Sequence, residues 1–508
     1  MKLGDLMAES LSRRSLIAGV GAAGLTAGVA APAAAAASAS ATHAPHGREV
    51  IIEAGWALVE EPGGPALKRD VSIHVVRDRI VEVREGRIRG GARRVQLKDQ
   101  LVLPGFISGH THVAGGSCTR GTFEGTRSYV RPLELAEQLN DKDMDALTAY
   151  NLAELIRSGC TTQVEQSLSL RQARSYVRVA GPWGVRGYPA GMVPGVPRLF
   201  SFWPVVNEPV FEASIPETLA EIEANRQFGM RWNHSFDDRI RPMMAPHATD
   251  THTPETLAAV LAAAKQLGNG IHLHLAQGAG EAATVQRRWG SRPVAWADSL
   301  GLFDVPVFGA HMSGADLALD PPLLAQRDYT YATCPSAGGA SGSLQPYPEM
   351  LAAGVRVNIG IDTHSNDYVE NIKLAVLKGQ ARHGAIGAAG SVPSRSPQPL
   401  DAVLGATRVA ADGLHRPDLG RIRADAKADL VSIDVSGFLV GSGALPPQPL
   451  VNLLYANGTF VRNVMTDGRW QLFDSALLVA DQNKVARRGG AVVQRIWDQL
   501  RAEGWFAQ

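Results

Sequence analysis

The sequence predicts an α/β fold: a (β/α)8 TIM barrel with a small β-sandwich domain formed from both ends of the chain. Three observations carry this. A central block, about Pro104 to Ala411, alternates strand-like runs with helical ones, the pattern of a parallel α/β fold. Short alternating apolar segments flank that block on both sides. Histidines and an aspartate recur at the ends of the strand-like runs, where such a barrel carries its chemistry.

In order, residues 1–40 read as a twin-arginine signal peptide. Ser12-Arg13-Arg14-Ser15-Leu16-Ile17 precedes an uncharged Ala/Gly-rich run through Ala31, with small-residue cleavage candidates around Ala35 to Ala39. The run is too weakly hydrophobic for a membrane span, so export to the periplasm or outside the cell is expected. That pathway moves folded proteins, often with a metal installed, which suits a metal site.

Residues 48–103 form the N-terminal portion of the β-sandwich, with strands at Val50 to Ile52, Val71 to Val76 and Ile80 to Val83. The barrel occupies 104–411. Its eight strand candidates are Phe106 to His112, Thr161 to Gln166, Val185 to Ala190, Ile240 to Pro246, Gly270 to Ala276, Val305 to Ala310, Tyr329 to Thr333 and Val355 to Asp362. Asp143 to Arg157, Pro254 to Leu267 and Pro346 to Ala353 read as helices between them. The C-terminal portion of the β-sandwich spans 412–475, with strands at Asp429 to Ile433, Leu453 to Ala456 and Val461 to Met465 before the turn Asp467-Gly468. The remainder, 476–508, is a C-terminal helix with an apolar stripe of Val485, Val492, Val493, Ile496 and Leu500.

With 508 residues, 45% of them hydrophobic, the chain can bury a large core. Its net charge of +1 and lack of basic runs argue against nucleic acid or an acidic membrane as partner and for a small-molecule substrate. No membrane association is expected once the signal is removed, and a homo-oligomer is left open. Cys118, Cys160 and Cys334 are too few and too scattered for a disulfide framework or a thiolate metal site.

The stretch Leu101 to His112 (LVLPGFISGHTH) organises the rest. In an extended strand His110 and His112 share a face and Thr111 turns away, which makes half of a metal site. His247 follows the fourth strand, His272 and His274 lie on the fifth, His311 follows the sixth and Asp362 ends the eighth. Imidazoles with a carboxylate suit zinc and its neighbours, and three neutral imidazoles plus one carboxylate leave an ion acidic enough to activate water.

These segments resemble the metal-dependent amidohydrolase superfamily, in its branch of hydrolytic deaminases and triazine chlorohydrolases. LVLPGFISGHTH resembles the opening strand, Ala245 to Thr249 (APHAT) the fourth and Ile271 to Gln277 (IHLHLAQ) the fifth. Gly309 to Met312 (GAHM) looks like the sixth-strand histidine, Cys334 to Ser336 (CPS) like the loop after the seventh, and Ile359 to Asn366 (IGIDTHSN) like the eighth-strand aspartate segment. Ala428-Asp429-Leu430 with Asp467-Gly468 look like the closing β-sandwich. The resemblance implies that His110, His112, His274 and Asp362 hold one divalent ion, Zn2+ first, with Fe2+, Co2+ or Mn2+ also suited. Asp362 would be the general base, and His311 would orient substrate or stabilise an oxyanion. His272, one layer deeper than His274, reads as structural or as a support for a ligand. The fourth strand offers His247 and no lysine to bridge two metals, which favours one ion; Glu165 reads as a salt-bridged or solvated carboxylate.

One position departs from the resemblance. Family deaminases carry a glutamate three residues after the fifth-strand histidine, and this chain has Gln277. A carboxamide donates a hydrogen bond but transfers no proton, so another acid would be needed. Glu281 is close in sequence, though nothing in the sequence aims it inward. The expected function is hydrolysis of a non-peptide carbon–nitrogen bond of amide, carbamate or urea type. The alternative is a deaminase or chlorohydrolase of a nitrogen heterocycle, and third comes an inactive ligand-binding barrel. Expected substrate-side residues are His311, Gln277, His247, His364 and Trp203. Trp203 falls in a Pro- and aromatic-rich insertion, Gly181 to Phe211, read as a lid or pocket wall. Gly338 to Ser343 is glycine-rich without the pattern of a phosphate loop.

Overall fold

The computed structural model describes residues 49–122, 129–195, 208–363, 365–389 and 392–506. The expected export signal, Trp203 and His364 lie outside them.

The first described elements are four strands, β1 (Glu49–Glu61), β2 (Gly64–Val76), β3 (Arg79–Glu85) and β4 (Arg93–Pro104). The run Leu101 to His112 is not one strand. β4 ends at Pro104, and β5 (Phe106–Thr111) opens the barrel after Gly105, where a Cβ would sit 2.4 Å from the Thr161 side chain. Glycine at this close approach lets one apolar run serve two layers.

Barrel strands follow as β6 (Cys160–Ser167), β7 (Arg186–Gly191), β8 (Ile271–Leu275), β9 (Val307–His311), β10 (Tyr329–Thr333) and β11 (Arg356–Ile359). They pair in parallel as β5-β6-β7 and β8-β9-β10-β11. The expected fourth strand is only a series of isolated bridges at Ile240, Met244 and Pro246. Pro242 and Pro246 lack the N–H a ladder requires, so Ile240 to Pro246 cannot pair continuously. It still closes the wall, since Val193 N–H donates to Ala245 and His272 N–H to Met244. On the other side Ile361 and Asp362 N–H donate to His110 O, and His112 N–H to Asp362 O, joining eighth stave to first.

Helices Asp141–Arg157 and Pro254–Leu267 lie where periodicity puts them, the second opened by a Thr253 capping box and closed by left-handed Gly268. Leu453 to Ala456, expected as a strand, is a 3-10 turn at Leu453–Tyr455 continuing the short helix Pro449–Asn452. Four apolar residues with two buried do not separate strand from turn.

β12 (Leu430–Asp434), β13 (Val461–Thr466), β14 (Arg469–Phe473) and β15 (Ala476–Leu477) return to the N-terminal strands. Together they form one eight-stranded sheet, ordered β15-β14-β13-β12-β4-β1-β2-β3. Its apolar core draws on both chain ends, including Ile52, Ile73, Val102, Leu430 and Met465. Buried charges tie sheet to barrel: the Arg186 guanidinium reaches Asp429 at 3.1 Å and Asp467 at 2.6 Å. Helix Gln482–Ala502 buries Val492, Val493, Ile496 and Leu500 against the barrel. No described helix is long and apolar enough to cross a membrane.

Candidate active site

β5 delivers His110 and His112 to the mouth of the barrel, and Thr111 points the other way as strand alternation requires. Its hydroxyl donates to Glu165 at 2.8 Å and to Val164 O at 3.1 Å. Glu165 also accepts from Val113 N–H and the Ser167 hydroxyl. Among the described residues it is thus not the salt-bridged or solvated carboxylate expected but an internal acceptor pinning the chain just after His112. Burial pushes its carboxyl up to about 7.

Each imidazole at the mouth is held from behind. His112 Nδ1–H donates to Gln166 O at 2.5 Å and His274 Nδ1–H to His247 O at 2.8 Å, since a carbonyl can only accept. His110 Nδ1 meets His272 Nε2 at 2.7 Å. These contacts turn the Nε2 atoms inward, and His110 Nε2 is buried with no hydrogen-bond partner among the described residues. Ring centroids of His110 lie 4.7 Å from His112 and 4.9 Å from His274. Burial holds the rings neutral: His112 is lowered to about 4, and His110 and His274 fall well below the usual histidine value. Neutral imidazoles with free Nε2 lone pairs are what a divalent ion requires.

Asp362 faces them. Its carboxylate lies 3.5 Å from His112 Nε2 and 3.8 Å from His110 Nε2. Burial pushes it up to about 7. Its φ is +64°, and Ala276, His311 and Met312 are also left-handed, so strained backbone gathers where three staves end. Donor atoms of two groups lie within 4.8 Å of one another: His110, His274 and His311, and His110, Cys334 and Asp362. Burial keeps the Cys334 thiol protonated, well above its ordinary value, so it joins the cluster as a thiol rather than a thiolate.

The cluster opens into a cavity of about 320 Å³ lined by His112, His247, His274, His311 and Asp362 on one side. Leu133, Leu168 and Met192 form an apolar wall, and Ala337, Gly338, Ser341 and Ser343 close another side. His311 Nε2 lies 3.9 Å from Asp362, and its Nδ1 meets Gln345 Nε2 at 3.3 Å. His247 approaches the Thr251 hydroxyl at 3.4 Å.

Gln277 lines the cavity, and the Tyr129 hydroxyl bonds to its side chain. Glu281 turns away: it accepts from Gln277 N–H at 2.6 Å and from the Thr249 hydroxyl, behind the wall. It does not stand in for the missing acid.

Of the residues singled out from the sequence, His110, His112, His247, His274, Gln277, His311 and Asp362 converge within one site, with His272 beneath. The insertion Gly181 to Phe211 is not one irregular loop: Met192 within it lines the cavity, 196–207 lie outside the described residues, and its start is regular structure. Gly181, Pro182 and Trp183 end the helix Leu170–Trp183, and Tyr188 is buried inside the barrel, because helix and strand run directly into one another there. Asn366 turns out of the cavity to Asn151 and Glu154. Tyr129, Gln345 and Cys334 were missed as members. Only the Cys-Pro-Ser segment gave a sequence signal; Tyr129 and Gln345 stand on loops whose meeting no local pattern encodes.

A profile of the Amidohydrolase family matches residues 101–470. The 5-methylthioadenosine/S-adenosylhomocysteine deaminase of Moorella thermoacetica is 30% identical over 74% of this chain and 82% of its own. The zinc-bound adenosine deaminase of Xanthomonas campestris superposes with TM-score 0.72 at 24% identity, over 88% of this chain and 98% of its own. The zinc-bound atrazine chlorohydrolase of Arthrobacter aurescens gives 0.73 at 18%, over 87% and 100%. Those two likenesses establish the fold, a TIM barrel with a β-rich domain.

The relatives overturn one expectation. Deaminases of the matching kind are typically cytoplasmic, so twin-arginine export and the periplasmic or extracellular location are withdrawn. The arginine pair and Ala-rich run were composition signals without structural context. With the profile spanning barrel and closing strands and the donor cluster at the barrel mouth, the chain belongs to the Amidohydrolase family and is a metal-dependent hydrolase of non-peptide carbon–nitrogen bonds in small molecules.

Proposed function

We propose that His110, His112, His274 and Asp362 hold a single zinc ion and that the enzyme hydrolyses an amide, carbamate or urea bond of a small molecule. The observation that carries this is the buried, unpartnered Nε2 of His110, aimed with its neighbours at Asp362 while its Nδ1 is engaged behind. When bound, the ion acidifies water and polarises the bond to be cut. Asp362 takes the proton of the attacking water, its carboxylate facing the same point as His110 Nε2 and His112 Nε2. His311 donates a hydrogen bond to the oxygen that gains charge. Gln277 and Tyr129 hold the far side of the substrate with uncharged groups, which suits a bond whose nitrogen needs little protonation from that side. His247 contributes to the wall, and His364 and Trp203 belong to the same substrate-side proposal. The division into 48–103, 104–411, 412–475 and 476–508 is proposed likewise.

A second reading, a deaminase or chlorohydrolase of a nitrogen heterocycle, is favoured by the names of the relatives. Ammonia release from 5-methylthioadenosine, S-adenosylhomocysteine and 5′-deoxyadenosine, and chloride release from atrazine, are measured beside hydrolysis of a benzamide, a phenyl carbamate and a phenylurea. Turnover of the second group alone supports the first reading; turnover of the first group alone replaces it. Q277E is expected to gain ammonia release, and no gain counts against this account of Gln277.

A further inference from the structure

The hydrogen bonds around Gln345 determine which nitrogen of His311 carries the proton. Gln345 lies on the loop after β10, buried and lining the cavity beside His311. Its Oε1 accepts from the backbone N–H of Cys334 at 2.6 Å and from the Thr333 hydroxyl at 3.0 Å. A backbone N–H can only donate, so the atom it meets is the amide oxygen, and the orientation of the carboxamide is fixed. The other end is then the NH2 group, which can only donate, and it faces His311 Nδ1 at 3.3 Å. Nδ1 must accept. A neutral His311 therefore carries its proton on Nε2, the nitrogen turned toward Asp362 and the cavity.

We propose that Gln345 is a positioning residue that locks His311 in the Nε2–H tautomer, making His311 a hydrogen-bond donor to the substrate and barring it from the metal. This rests on the reading above, in which His311 faces the substrate. It also separates His311 from His110 and His274, whose donor atoms lie as close to it as metal ligands would. In those two the Nδ1 is turned to a partner behind and Nε2 remains for the ion; in His311 Nδ1 is an acceptor and Nε2 is already occupied by hydrogen. Tyr331 supports the arrangement by donating its hydroxyl to His311 O at 3.0 Å, which fixes the residue on its left-handed backbone. The substrate atom opposite His311 is accordingly an acceptor, a carbonyl oxygen or an unprotonated ring nitrogen.

The test uses 15N NMR of histidine-labelled, zinc-loaded protein, with the His311 signals assigned by their loss in H311N. In the wild type Nδ1 is expected as the unprotonated ring nitrogen and Nε2 as the protonated one. Q345E replaces the donor by an acceptor and should reverse the two. With Q345E, kcat should fall by about 100-fold on whichever substrate of the panel above is turned over, while zinc content stays at the wild-type value. Should Q345E fail to fold, Q345M removes the donor without adding charge and is expected to show both tautomers. A wild-type proton on Nδ1, a tautomer unchanged in both variants, or a reversed tautomer with unchanged kcat overturns the proposal. If no panel compound is turned over, the functional reading above fails, and the NMR result still decides the tautomer lock.

Discussion

His110 and His272 share a single hydrogen bond, Nδ1 to Nε2 at 2.7 Å, between two fully buried rings. With His110 Nε2 turned to the donor cluster, its proton sits on Nδ1, and His272 Nε2 accepts it. His272 thus orients His110, a proposed metal ligand, from behind. H272A should retain the fold but bind zinc about 10- to 100-fold more weakly, as measured by competition with a chelator. Unchanged zinc affinity would make His272 mere packing.

Removing the ion should loosen the molecule. The four proposed donors come from the first, fifth and eighth staves, so an ion held by them would bind only when those staves are in register. At a free zinc concentration about 1,000 times the dissociation constant, binding adds about 4 kcal/mol to stability. Dialysis against a chelator should lower the melting temperature by several degrees, and zinc should restore it. An unchanged melting curve refutes the assigned cluster.

Zinc affinity should depend on pH through Asp362. Burial raises its carboxyl to about 7, so below that pH the metal-free protein holds a proton the ion must displace. His112, lowered to about 4, is already neutral over this range and adds no slope. The logarithm of the binding constant should rise by about one per pH unit up to about pH 7 and level off above it. D362N should bind more weakly and abolish the slope. A slope that survives in D362N would implicate an imidazole instead.

Arg186 joins barrel to closing sheet from a fully buried position. Although burial alone would raise Asp467, the cations Arg186, Lys427 and Arg239 hold it below the usual carboxylate range. The stability it supplies is complete above the carboxylate pKa of unfolded chain and is lost as pH falls through its lower folded value. R186A leaves two buried carboxylates short of a partner and should cost about 3–5 kcal/mol in denaturant unfolding. A cost below about 1 kcal/mol would mean that water reaches the cluster.

Much of this organisation was legible because it is local. Alternation along a strand puts His110 and His112 on one face and His272 one layer below His274, and the structure keeps both relations. Periodicity placed Pro254–Leu267 to the residue. Tyr129 and Gln345 were illegible because their roles depend on partners 148 and 34 positions away, Gln277 and His311, and on backbone groups that carry no sequence signal. Leu453–Tyr455 was misread because so short an apolar run fits strand and turn alike.

The helix Gln482–Ala502 has a bearing on how the pocket is assembled. Trp497 Nε1–H donates to Cys118 O across 379 positions, and Arg131 meets Glu503 across 372. Both contacts brace the segment after β5 that brings Tyr129 and Leu133 to the cavity. During synthesis every histidine and aspartate of the donor cluster has emerged by residue 362, whereas the brace arrives more than a hundred residues later. The proposed metal donors therefore occupy a shorter stretch of chain than the braced substrate wall, and loss of this helix would remove the brace while leaving every donor in the chain.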